Sequence, residues 1–118
     1  MSAISTVGKI QKAKTETFLQ TISEKYSDIE IDYGRIKNTP IRKCGDLALD
    51  IYYRKSEVSI NIRMHSPEMQ KYKLLSEQGI AYQKDTANPY STKGMLAFFV
   101  NERDVPHAIC CILNLEKV

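Results

Sequence analysis

The chain has 118 residues, 42% of them hydrophobic and 26% charged, with a net charge of +3. That is enough chain for one domain, residues 1–118, with its own core. The composition excludes a disordered, fibrous or disulfide-stapled protein.

Residues 1–12 are weakly patterned and are expected to be loose. The stretch MSAISTVGKIQKAK also lacks the apolar core of a secretory signal. From Thr15 to Tyr26 the pattern is helical, with Phe18, Ile22 and Tyr26 recurring every four residues and Leu19 beside them. DIEIDY, residues 28–33, alternates: Ile29, Ile31 and Tyr33 point one way, Glu30 and Asp32 the other, which predicts a half-buried strand. Gly34 and then Asn38-Thr39-Pro40 read as turns.

Residues 46–65 carry the clearest signal. With a turn centred on Lys55 and Ser56, Tyr53 faces Val58, Ile51 faces Ile60, Leu49 faces Ile62 and Leu47 faces Met64. Each of those pairs is apolar. The opposite face then pairs Arg54 with Glu57, Tyr52 with Ser59, Asp50 with Asn61, Ala48 with Arg63 and Asp46 with His65. A slip of one residue would exchange the two faces, so the pattern fixes the register.

A second helix is expected at once, with Ser66 as N-cap, Pro67 at the first helical position, Glu68 in the first turn and Gly79 at the exit. Met69, Tyr72 and Leu75 make its apolar side. Residues 81–94 read as a long loop with room for a short strand at its start. MLAFFV (95–100) and HAICCIL (107–113), separated by NERD (101–104), are expected as two covered central strands joined by a hairpin turn. Three cysteines, Cys44, Cys110 and Cys111, with two adjacent, make a poor disulfide set, so reduced thiols in a cytoplasmic protein are expected. No apolar run approaches the ~20 residues that cross a bilayer, and no membrane partner is expected.

The predicted order is α, β, β, β, α, β, β. It describes a single layered α+β domain with a mostly antiparallel sheet of about five strands packed by two helices.

Charge is unevenly spread. Residues 35–73 hold nine Lys and Arg against four Asp and Glu, a net of +5, while the rest of the chain is at −2. Such a local field favours anionic partners. Tyr52, Arg54 and Arg63 share the polar hairpin face, and Lys71 and Lys73 extend the positive charge onto the next helix. A tyrosine among cations can stack on bases while the cations hold phosphates, so nucleic acid is the first expected partner.

Asp50, Asn61 and Arg63 are the catalytic candidates. A metal-dependent nuclease needs carboxylates for Mg²⁺ and a cation beside the scissile phosphate. Over residues 15–80 the order of elements resembles the core of the PD-(D/E)xK nucleases. GDLALD (45–50) takes the place of the acidic strand, Asn61-Ile62-Arg63 that of the acid-x-Lys element, and Gln70 opens the following helix. The resemblance implies a nuclease-like fold. It departs where Asn61 replaces a carboxylate and Arg63 replaces the lysine, which points to a version that binds without cleaving.

No Cys and His spacing suits zinc, no metal site is expected, and Mg²⁺ enters only with the nuclease reading. The same order of elements also resembles, in outline, the small secretion chaperones. The alternative role is a protein-binding adaptor, immunity or chaperone-like module, able to form a homodimer. Binding rather than catalysis is therefore the expected role, with nucleic acid first, a protein partner second and a metal-dependent nuclease third.

Overall fold

The computed structural model describes residues 6–53, 57–63, 66–83, 91–92 and 95–115. Helix α1 runs from Thr6 to Lys25. Its buried positions, Gly8, Gln11, Thr15, Leu19 and Ile22, recur every three or four residues. Residues 6–12, expected to be loose, are therefore helical. The period is hidden in the sequence because Gln11 and Thr15, though polar, lie on the buried side.

Four strands follow. They are β1 (Ile29–Ile31), β2 (Asn38–Lys43), β3 (Asp46–Tyr53) and β4 (Glu57–Arg63). The first is shorter than DIEIDY implied. The Asp32 carboxylate accepts the Gly34 amide at 2.9 Å, an Asx turn that ends the strand, and Tyr33 is left exposed. Asn38-Thr39-Pro40, expected as a turn, is strand. Pro40 is tolerated because it lies beyond the last β1 pair, Ile31↔Ile41, where no neighbouring strand needs its missing N–H. A two-residue turn at Cys44 and Gly45 joins β2 to β3. Both residues have positive φ, 53° and 85°, as a twisted hairpin turn requires.

The β3–β4 register matches the sequence pattern to the residue: Asp50↔Asn61, Ile51↔Ile60, Tyr52↔Ser59 and Tyr53↔Val58. Arg54, Lys55, Ser56, Met64 and His65 lie outside the described residues, and so do the expected pairs that use them.

Helix α2 (Glu68–Glu77) comes next. The Ser66 hydroxyl does not cap it, because it donates to the Arg63 carbonyl at 2.6 Å. Gly79 closes it as expected. At φ 76° it lets the Gly79 amide reach Ser76 O (3.0 Å) and the Ile80 amide reach Leu75 O (2.9 Å), the two bonds of a Schellman cap. Short strands β5 (Ala81–Tyr82) and β6 (Ser91–Thr92) both pair with β7 (Met95–Asn101). Residues 84–90 of the expected long loop lie outside the described residues.

HAICCIL is not a strand. A single 3-10 turn, Glu102–Asp104, leads straight into helix α3 (Val105–Ile112). A short apolar run cannot by periodicity alone be told from a buried helix. Pro106 in the first turn is the helix-start signal, and the buried positions, Val105, Ala108, Ile109 and Ile112, carry the helical period. Asn114 at φ 57° ends α3 with the same pair of capping bonds as α2.

The seven described strands form one antiparallel sheet in the order β1-β2-β3-β4-β7-β5, with β6 also against β7. The fold is thus α+β, with three helices rather than two among the described residues. Strand side chains alternate between two faces. One face, with Ile41, Leu49, Ile51, Tyr53, Val58, Ile60, Ile62, Phe98 and Val100, packs against Leu19 and Ile22 of α1, Leu75 of α2, and Ala108, Ile109 and Ile112 of α3. No described helix covers the other face. No described helix is long and apolar enough to cross a membrane.

Candidate functional site

The polar hairpin face is the helix-free face of the sheet. Two rows cross it. Asn38, Tyr52, Ser59, Phe99 and Tyr82 form one, and Pro40, Asp50, Asn61 and Ala97 form the next. It is not simply a wet surface. Ser59 and Ala97 are buried, and Asp50, Tyr52 and Asn61 are half-buried.

Asp50 is held by neutral groups. The Asn38 amide donates to both its oxygens, at 2.9 and 3.2 Å, and the Tyr52 hydroxyl also donates to it. Burial nevertheless raises the Asp50 pKa above the ordinary carboxylate value, against those bonds and the nearby Arg35. Asn61, directly across, has a buried Oδ1 with no hydrogen-bond partner among the described residues. At the β5 side the Tyr82 hydroxyl donates to Glu57 at 2.6 Å. Burial, with that bond, pushes its pKa up to about 12.

The structure divides the residues singled out from the sequence. Asp50, Tyr52, Asn61 and Arg63 share this face, and Arg63 is exposed. Lys71 and Lys73 belong to α2, which packs on the opposite face through Tyr72, whose ring lies 4.8 Å from that of Phe98. Lys71 donates to Asn114 Oδ1 at 3.2 Å. Arg54 lies outside the described residues. Cations and acids are mixed on the helix-free face, with Arg35, Arg42 and Arg63 among Glu30, Asp32, Asp50 and Glu57.

A second carboxylate does not join Asp50 from α1. Glu16 lies on the helix-covered face, where it accepts the Thr39 hydroxyl at 2.9 Å and the Lys12 ammonium at 3.0 Å. Among the described residues no group of three or more His, Cys, Asp or Glu is placed to hold a metal ion.

A groove of about 760 Å³ lies elsewhere, between α1 and the corner where β7 turns into α3. Phe18, Val58, Val105 and Pro106 make its apolar wall, and Gln11 and Thr15 line the α1 side. Gln11 is only 2% exposed, yet neither its amide nitrogen nor its amide oxygen has a hydrogen-bond partner among the described residues. Each orphaned buried polar atom costs about 1–3 kcal/mol, so the carboxamide is an expensive residue to keep there. The rim is charged. Lys14 reaches Glu102 at 3.4 Å, and Arg103, 85% exposed, reaches among the described residues only its neighbour Asp104, at 3.8 Å. Val7 and Ile10, each about half exposed, lie one helical turn before Gln11 and Lys14 and continue the apolar surface along α1.

The groove is only faintly marked in the sequence. Its signal is the spacing Gln11, Thr15, Phe18, Ile22, which carries the helical period back through two polar residues.

No family model matches the chain, and neither does any curated protein or solved structure.

Proposed function

We propose that the chain is a non-catalytic binding domain whose ligand is a segment of a partner protein, held in the groove between α1 and the β7–α3 corner. The observation that carries this reading is the buried Gln11 carboxamide in the wall of an apolar groove. Binding pockets have this composition: a concave apolar lining of a few hundred cubic ångströms with a small number of convergent polar groups. A ligand with both a donor and an acceptor would satisfy what the free protein leaves unsatisfied.

The test is selection of a displayed random-peptide library on the immobilised full chain, then comparison with a Lys14→Trp variant, whose exposed side chain at the rim would plug the groove. Enriched peptides should lose binding to the variant. Peptides that bind it equally well would put the site elsewhere and overturn the reading.

A second reading is nucleic-acid binding on the helix-free face. Its support is that Tyr52, Arg42 and Arg63 share that face within the segment of net charge +5. The split of the cations over two faces, and the acids among them, weaken a phosphate-binding surface and place this reading second. Cleavage stands third, because Asp50 is held by the Asn38 amide and faces Asn61 across the strand pair, with no group of three or more His, Cys, Asp or Glu placed to hold a metal among the described residues, and Mg²⁺ would serve this reading alone.

A further inference from the structure

We infer that the groove recognises the main chain of an extended segment, with the Gln11 carboxamide standing in for a facing strand residue. This deepens the protein-binding reading and rests on it. In an antiparallel pair, one residue offers its own N–H and C=O toward the same side and receives both bonds from the residue opposite. A primary carboxamide carries an N–H donor and a C=O acceptor side by side in one plane. Gln11 therefore has the complement that one extended residue presents.

Both halves of that complement are buried and have no partner among the described residues, so a ligand with only a donor or only an acceptor would still leave one orphan. The residue so held would turn its side chain onto Phe18 and Pro106, the apolar lining residues that reach the surface of the groove. The rim adds a preference for charge. Glu102 is engaged by Lys14, whereas Arg103 is almost fully exposed at the groove's edge. An acidic residue beside the apolar one fits that edge. The ligand class is thus a short extended peptide with an apolar residue next to an acidic one.

The experiment uses the ¹⁵N-labelled full chain and two probes, acetyl-Asp-Leu-Leu-methylamide and the same peptide N-methylated at its first leucine. N-methylation deletes one main-chain donor and keeps the side chains. The unmodified peptide is expected to shift the Gln11 side-chain NH₂ resonances and to bind roughly tenfold more tightly than the methylated one. Gln11→Leu should erase the difference between them. Replacing the probe's aspartate by asparagine should weaken binding to the wild type but not to Arg103→Ala. Equal affinity of both probes at the groove would overturn the main-chain inference and leave the groove reading standing. Absence of shifts at Phe18, Val58 and Val105 with either probe at millimolar concentration would overturn both. The comparison of probes on the wild type decides the matter even where a variant fails to fold.

Discussion

The hydroxyls of Thr39 and Tyr53 lie 2.6 Å apart beneath α1. Thr39 gives its single proton to Glu16, so Tyr53 is the donor in that bond. Proton donation runs from Tyr53 to Thr39 to Glu16, and Lys12 donates to the same carboxylate. Burial raises the Tyr53 pKa above its ordinary value, which keeps the donor protonated at any ordinary pH. Thr39→Val leaves both Tyr53 and Glu16 short of a partner and should cost about 1–3 kcal/mol. Tyr53→Phe leaves the Thr39–Glu16 bond intact and should cost about 1 kcal/mol. Urea unfolding of both single variants and the double variant checks this. Strict additivity would break the chain of bonds into independent pairs.

Gln11→Leu removes two unsatisfied atoms from a buried site while keeping nearly the same volume. The free protein should gain about 1–3 kcal/mol, read as a rise of several degrees in Tm. Such a gain would mean that the native residue is retained at the expense of stability. A loss would show that the amide is already satisfied in the free chain.

Asp50 has a folded-state pKa raised above its unfolded value. The folded state then holds its proton more tightly, so stability is highest below the unfolded pKa, near 4, and falls as pH rises through the folded value. Asp50→Asn keeps an acceptor for Asn38 and removes the titration. Thermal melts between pH 3.5 and 7 should show the variant gaining on the wild type as pH rises. A gain in the opposite direction would mean that the ionised carboxylate is the stabilised form.

Gly79→Ala should destabilise by about 1 kcal/mol, because the position needs φ 76° for the cap of α2. Asn114→Gly, at the equivalent position after α3, should be neutral or slightly stabilising. Denaturant midpoints of the two variants measure the contrast.

Tighter DNA or RNA binding at low salt that weakens steeply as salt rises, and weakens further in Arg63→Ala, is the outcome that would favour the helix-free face. Gel shifts on single- and double-stranded probes at two salt concentrations test it. No binding at low salt would remove that reading.

The hairpin was legible because two alternations, apolar over 47–53 and over 58–64, had to be brought into phase, and only one register does so. The C-terminal helix was not. In HAICCIL every second and every fourth position is apolar, so the run satisfies either period, and Pro106 was the one local mark of a helix start. Strand β2 was hidden by Asn38 and Pro40, turn formers that here occupy the helix-free face while Thr39 and Ile41 face the core. The division of the cations was illegible for a different reason. Sequence spacing puts Arg63 close to Lys71, but the sheet itself lies between the face that carries one and the helix that carries the other.

Arg63 of β4 and Met95 of β7 are cross-strand partners, and Leu96 and Ile62 follow in register. The chain therefore leaves β4 at residue 63 and enters β7 beside the same point at residue 95. The excursion between those ends carries α2 and the short strands β5 and β6, which both pair with β7. An insertion between β5 and β6 would leave each of those pairs in place and would cost only the slow logarithmic growth of loop entropy. Deletion is asymmetric with this, since Leu75 and Tyr72 would be withdrawn from the core. The excursion is a seam at which the chain can be lengthened freely but not shortened.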